Sequence, residues 1–346
     1  MGALVAVAGM LAVAAQPALA APKPAARLFS DDQPIHVTIK GPISAVVTTP
    51  APARTARPAV LQAGAESLPI LLSPRGILRR TKVACSFPPL GVQFTAKPAK
   101  ASLFDKQKRL KLVTHCRNPS DHQQYVLLEY AAYRMFNALS PLGLRTRLGT
   151  FDYVEQNGRT VASKVGFFIE DSGDAAKRNA LTELRITARI APTQLDPVTS
   201  ARAAIFEYMI GNTDWSMRAG PAGDTCCHNF KLLGRVAGAQ YGIIPVPYDF
   251  DVSGLVNPPY ALPPEGLGIH SVRQRRYRGY CIHNSQAVSV AAEFRAKKSE
   301  IVGVLGIVPG LDEGRRQKGA AYLDSFFQDI ATDELVAKNL LKTCIR

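Results

Sequence analysis

Acidic residues are scarce beside basic ones: 27 Asp and Glu stand against 42 Lys and Arg, a formal charge of +15. Such an excess points to anionic partners, among them nucleotides, phospholipid, polyanionic envelope polymers and nucleic acid. None of the recognised nucleic-acid-binding motifs is present, which removes nucleic acid from the expected partners. Cys226-Cys227-His228 lacks the second Cys-x-x-Cys or His pair that would complete a zinc site, so disulfide bonding is the better reading. Beyond the N-terminal segment no stretch could cross a bilayer, and no internal repeat is visible. There is a single tryptophan, Trp215.

What is present begins with an apolar run over residues 4–15, followed by Ala18-Leu19-Ala20, a small-x-small pattern. Together these predict a signal peptide over residues 1–20, although its first residues carry no Lys or Arg. The protein is therefore expected to be exported to the periplasm or cell envelope, with peripheral envelope contact open to its basic surface. Retention of the apolar run as an anchor is the alternative. The even count of six cysteines fits an oxidising compartment. Connectivity stays open, except that Cys85 and Cys116 lie on neighbouring strand-like segments and are expected to pair first. Residues 21–65, rich in Ala, Pro and Thr, read as a linker with one candidate edge strand at 35–39.

From residue 66 strands dominate, at 68–72, 82–87, 91–95 and 109–116. In the last of these, alternation puts Lys111 and Val113 on one face and Leu112 on the other. A helix over 121–139 carries Glu129 within an otherwise largely apolar segment, where a carboxylate needs a cation or exposure. A hairpin follows, with strands at 145–154 and 159–169 about the turn Glu155-Gln156-Asn157-Gly158. After Glu170 and Asp171 the pattern turns helical, at 174–190, 196–210, 290–304 and 311–330. The boundary between a strand-rich part (66–171) and a helix-rich part (172–346) falls there.

The stretch Pro247-Tyr248-Asp249-Phe250-Asp251 follows an apolar strand. In extended backbone its two carboxylates share one face, about 6–7 Å apart. At an effective dielectric of about 20 they repel by roughly 2–3 kcal/mol, which favours a cation near them. Asp214, after a Gly-Asn helix stop, and Asn229, before a short strand, lie on consecutive pieces of a small hairpin with Asp249. A strand Lys, a helical Glu, a loop Asp, an Asn and a second Asp are the parts that phosphoryl transfer needs for positioning and charge neutralisation.

In order and spacing, Leu110-Lys111-Leu112, the helix of Glu129, Gly211-Asn212-Thr213-Asp214 with His228-Asn229, and the Asp249 stretch resemble the spore-coat protein H (CotH) kinase-like family. These are atypical kinases related to secretory-pathway and HipA-like kinases. The resemblance spans about residues 70–285. It implies an α+β, two-lobed protein-kinase-like fold with a strand-rich N-lobe and a helix-rich C-lobe. It implies ATP with Mg2+ or Mn2+, held by Lys111, Glu129 and Glu170, with an adenine slot beneath the strand that ends at Ile169. Asp214 would be catalytic with Lys111, and Asn229, Asp249 and Asp251 would hold metal. The acceptor would be a protein hydroxyl or an envelope polymer. No Gly-x-Gly-x-x-Gly precedes Lys111 and no His-Arg-Asp precedes Asp214. A binding protein without activity and a nucleotidyl transferase are the competing readings. The alternating arginines Arg273, Arg275, Arg276 and Arg278 are a candidate contact for an acidic substrate.

Overall fold

A computed structural model describes residues 22–81, 83–220 and 226–346; the expected signal peptide lies outside them. The first half of the chain is a closed seven-stranded barrel in the order β1-β2-β3-β4-β5-β7-β6. Its strands are β1 (Ile35–Lys40), β2 (Arg57–Ala63), β3 (Glu66–Pro74), β4 (Leu90–Phe94), β5 (Arg109–Val113), β6 (Thr146–Val154) and β7 (Thr160–Ile169), with a short helix α1 (Ile43–Val47) after β1. Closure comes from β1, which lies parallel to β6 from Ile35 beside Gly149 to Lys40 beside Val154. A side chain at Gly149 could not fit, because its Cβ would come within 2.5 Å of the Ile35 carbonyl.

This corrects two expectations. The Ala/Pro/Thr-rich segment read as a linker with one candidate strand at 35–39 forms that strand as β1 and adds β2, and Val37, Ile39, Ala59 and Leu61 of these strands are buried in the barrel core. The two-lobed kinase-like arrangement is also not what forms. Once β1 and β2 are added, the strands meet edge to edge as a barrel instead of an open sheet stacked on a helical lobe. Closure satisfies both sheet edges, the physical gain an open sheet would forgo.

The period-2 pattern of β5 sorts its side chains between two cores. Leu110 and Leu112 point into the barrel, while Val113 joins the core built on the helices. β7 does the same, with Phe168 in the barrel and Phe167 and Ile169 on the other side. Against that outer face packs α2 (Ser120–Leu139), buried along Leu127, Leu128, Ala131, Ala132 and Met135. The rest comprises α3 (Ser172–Arg178), α4 (Pro197–Ile210), α5 (Asn284–Ala296), α6 (Lys298–Ile307), α7 (Glu313–Asp329) and α8 (Asp333–Asn339). A second sheet runs β10-β9-β8, from β8 (Thr182–Glu183), β9 (Phe230–Gly234) and β10 (Ile244–Pro247).

Local differences from the sequence reading have local causes. Of the expected strand at 82–87, the described residues begin with a turn, in which Ala84 and Cys85 both donate to the Thr81 carbonyl, ahead of Pro88-Pro89. The expected helix at 174–190 stops after Arg178, where Ala180 takes a positive φ of 55°. All six cysteines are paired, as Cys85–Cys116, Cys226–Cys227 and Cys281–Cys344. The last of these fixes the C-terminal segment beside the start of α5, where Ile345 also bridges Tyr280. No helix among the described residues is long and apolar enough to cross a membrane.

Candidate active-site cleft

Between the outer face of β5 and the second sheet lies a cleft of about 1020 Å³, lined by Arg75, Arg79, Lys111, Glu129, Asp214, His228, Asn229, Lys231, Tyr248, Asp249 and Asp251, among others. Lys111 enters from β5, where alternation turns it away from the barrel core. Its Nζ lies 4.3 Å from the centre of the Tyr248 ring, and Lys231 of β9 lies 5.5 Å from the same ring. Loss of hydration, with the positive charges of Arg75 and Lys231 adding to it, pushes the Lys111 pKa down to about 7.

Glu129 does not meet Lys111. Its side chain, 2% exposed in the middle of α2, receives Arg79 Nη1 at 3.4 Å. Arg79 comes from the β3–β4 connection and is itself 11% exposed. The same guanidinium reaches Asp249 through Nη2 at 3.1 Å and Asp251 through Nε at 3.1 Å. Burial raises the pKa of both Glu129 and Asp251, with neighbouring carboxylates adding to the rise and Arg79 opposing it. Asp249 is also short of hydration, but Arg79 and Arg75 outweigh that loss and hold its carboxyl below the usual range.

The two aspartates do not sit on extended backbone. Asp249 takes a left-handed φ of 68° as the chain leaves β10, and its N–H donates to the Tyr133 hydroxyl at 2.9 Å. A non-glycine residue in that region stores strain of order 1–3 kcal/mol. Phe250 holds the turn down, its ring 4.6 Å from Tyr133 and 5.3 Å from Phe206. Both carboxylates thereby face Arg79, with Asp249 keeping 35% of its side chain open to the cleft. Tyr260 donates to Asp251 at 3.1 Å.

Asp214 stands across the cleft on the loop that leaves α4. Gly211 ends the helix in the left-handed region (φ 67°), and Asn212 Oδ1 then accepts the Asp214 N–H at 3.0 Å. Arg278 braces the loop by donating to the carbonyls of Thr213 and Trp215 at 2.6 and 2.8 Å. His228 Nε2 lies 2.8 Å from Asp214 Oδ1, and this contact raises the histidine's pKa. Asn229 Nδ2 donates to the Asp214 carbonyl at 2.6 Å and to Oδ2 at 3.2 Å. A cation at Asn229 would therefore have to take Oδ1.

The structure thus brings Lys111, Glu129, Asp214, Asn229, Asp249 and Asp251 to one cleft, but not Glu170. That carboxylate, 3% exposed, is taken up by Arg178 at 2.9 and 3.1 Å and by the Arg145 N–H at 3.0 Å. Of the strand end expected over an adenine slot, Ile169 lines the cleft, whereas Phe167 and Phe168 are buried in the two cores. The arginine run is divided. Arg275 and Arg278 are committed to carbonyls and to the rings of Tyr322 and Trp215; Arg273, though exposed, lies 4.6 Å over the Tyr322 ring, and Arg276 is exposed. Sequence reasoning missed Arg75, Arg79, His228, Lys231 and Tyr248. Only Tyr248 and His228 carried a signal, as neighbours of Asp249 and Asn229.

No family model matches the chain. No curated protein matches it either. Among solved structures it is similar to one described as the crystal structure of a Helicobacter pylori proinflammatory kinase, CtkA. The identity is 11% and the TM-score 0.40, over 73% of this chain and 92% of that one. That likeness is a coarse one, and the chemistry below is taken from the cleft alone.

Proposed function

We propose that the cleft binds a nucleoside triphosphate with a divalent metal ion and transfers its γ-phosphoryl group to a hydroxyl. The observation that carries this reading is the division of charge within one cavity. Arg75, Lys111 and Lys231 offer cations to a polyphosphate, Asp249 and Asp251 offer hard oxygen donors, and Asp214 stands apart on its own braced loop. Phosphoryl transfer asks for little else, since its catalysis is mostly positioning and neutralisation of charge.

Lys111 and Arg75 would hold the phosphates, with Tyr248 keeping Lys111 in place. The donor types suit a divalent ion: Asp249 and Asp251 would supply carboxylate oxygens and Asn229 its Oδ1, the hard oxygens such an ion takes. Such an ion, when bound, would neutralise charge on the phosphates. Asp214, oriented by His228 and Asn229, would accept the proton of the attacking hydroxyl as its oxygen bonds to phosphorus and the bond to the leaving diphosphate breaks. ATP is the proposed donor. A protein hydroxyl or an envelope polymer is the proposed acceptor, in an exported protein.

The test is incubation of the purified protein with γ-labelled and, separately, α-labelled ATP in Mg2+ or Mn2+. Label transferred from the γ position alone supports the reading. Label from the α position would establish nucleotidyl transfer, and label from neither would leave a binding protein.

A further inference from the structure

Arg79 uses three of its nitrogens on three carboxylates, Glu129, Asp249 and Asp251, at 3.1–3.4 Å. We propose that it is a built-in counter-cation, which a divalent metal ion displaces from a site made by those three side chains. This rests on the metal–nucleotide reading above and adds Glu129 as a ligand and Arg79 as the occupant that must leave.

One guanidinium is shared among three carboxyl groups and does not satisfy them all: Glu129 Oε1 is buried with no hydrogen-bond partner, in a side chain 2% exposed and turned into the cluster. A buried acceptor left unpaired is costly, and a small doubly charged ion would satisfy it. A guanidinium also holds carboxylates apart, because each oxygen must lie about 2.7–3.2 Å from a different nitrogen. A metal ion draws its oxygens to about 2.0–2.6 Å from one centre. Among the described residues no three acidic, His or Cys side chains are gathered closely enough for that. Departure of Arg79 would let them close.

Arg79 sits on a short turn close to two fixed points of the chain. Upstream, Arg75 N–H is bonded to the Pro89 carbonyl. Downstream, Arg80 is tied to the carbonyls of Thr49 and Pro50, and Cys85 is bonded to Cys116. Arg79 is the middle residue of one three-residue 3-10 turn, Leu78–Arg80, which has no buried residue and ends on the anchored Arg80. Ile77 before the turn and Leu78 at its start are 70% and 49% exposed, so little apolar packing holds it down. A freed guanidinium would face the side of the cleft where Arg75 and Lys111 await phosphate.

The experiment titrates Mn2+ alone into wild type, Arg79→Met and Arg79→Lys, reading free Mn2+ by electron paramagnetic resonance. Arg79→Met is expected to bind at least about tenfold tighter than wild type, since the competing cation is gone, and Glu129→Gln added to it should lose that gain. In wild type, saturating Mn2+ should speed amide hydrogen exchange over residues 77–81. Should Arg79→Met fail to fold, Arg79→Lys and the wild-type exchange decide. Equal Mn2+ affinity in wild type and both variants, with unchanged exchange, overturns displacement while the metal–nucleotide reading stands. No Mn2+ binding by any of them, with or without ATP, overturns both.

Discussion

Lys111 Nζ stands 4.3 Å over the Tyr248 ring and makes no ion pair with Glu129, whose carboxylate belongs to Arg79. The lysine is thereby left without an ion pair of its own, with Arg75 and Lys231 as well as Asp249 and Asp171 acting on its charge.

That placement has a pH signature. The Lys111 pKa falls from 10.5 to about 7 on folding, so between those values the unfolded chain holds more protons than the folded one. Stability from this group therefore rises with pH across that window, and the penalty is complete below it. Lys111→Met should stabilise the free protein near pH 6 by an amount on the order of a few kcal/mol. The gain should fade towards pH 10, as read from urea unfolding midpoints. Polyphosphate binding by wild type above pH 7 should take up a proton, measurable by calorimetry in buffers of different ionisation enthalpy.

Glu170 and Arg178 form an ion pair in which each side chain is 3% exposed. Glu170→Ala would leave a buried guanidinium with only the carbonyls of Pro141 and Gly143. A loss of about 3–5 kcal/mol of stability is expected, checked by thermal or urea unfolding. Nucleotide affinity of the folded fraction should stay within a few-fold of wild type, because Glu170 does not line the cleft. A large fall in affinity would restore it to the binding residues.

Cys281 and Cys344 close 63 residues of chain, and neither lines the cleft. Replacing both by Ala should cost about 2–4 kcal/mol through the freer unfolded chain. Transfer per folded molecule should be unchanged.

Much of this was legible in the residues. The alternation of β5 assigned Lys111 and Val113 to one face, and the apolar residues spaced along α2 are buried, although that helix is covered on every side from Val126 to Tyr133. The pairing of Cys85 with Cys116 followed from neighbouring segments. Barrel closure was not legible, because the parallel contact of β1 with β6 joins residues more than a hundred positions apart and leaves no local pattern. The Lys111–Glu129 pair failed for a related reason. Arg79 reaches Glu129 across 50 positions and Asp249 across 170, from a loop whose own spacing says nothing about its target. Glu170 was expected to hold nucleotide, but the partner that claims it, Arg178, lies on a helix whose extent the sequence overstated.

The central claim, that Asp249 holds a metal-bound nucleotide while Asp214 serves the acceptor hydroxyl, is tested most directly by measuring Mg2+-dependent ATP affinity and γ-phosphoryl transfer side by side in Asp249→Ala and Asp214→Ala. Asp249→Ala should lose both metal-dependent binding and transfer. Asp214→Ala should keep affinity within a few-fold while transfer falls by about 10²–10⁴-fold, the usual worth of a general base. An unchanged transfer rate in Asp214→Ala, or equal loss of binding in both variants, would contradict that division of roles.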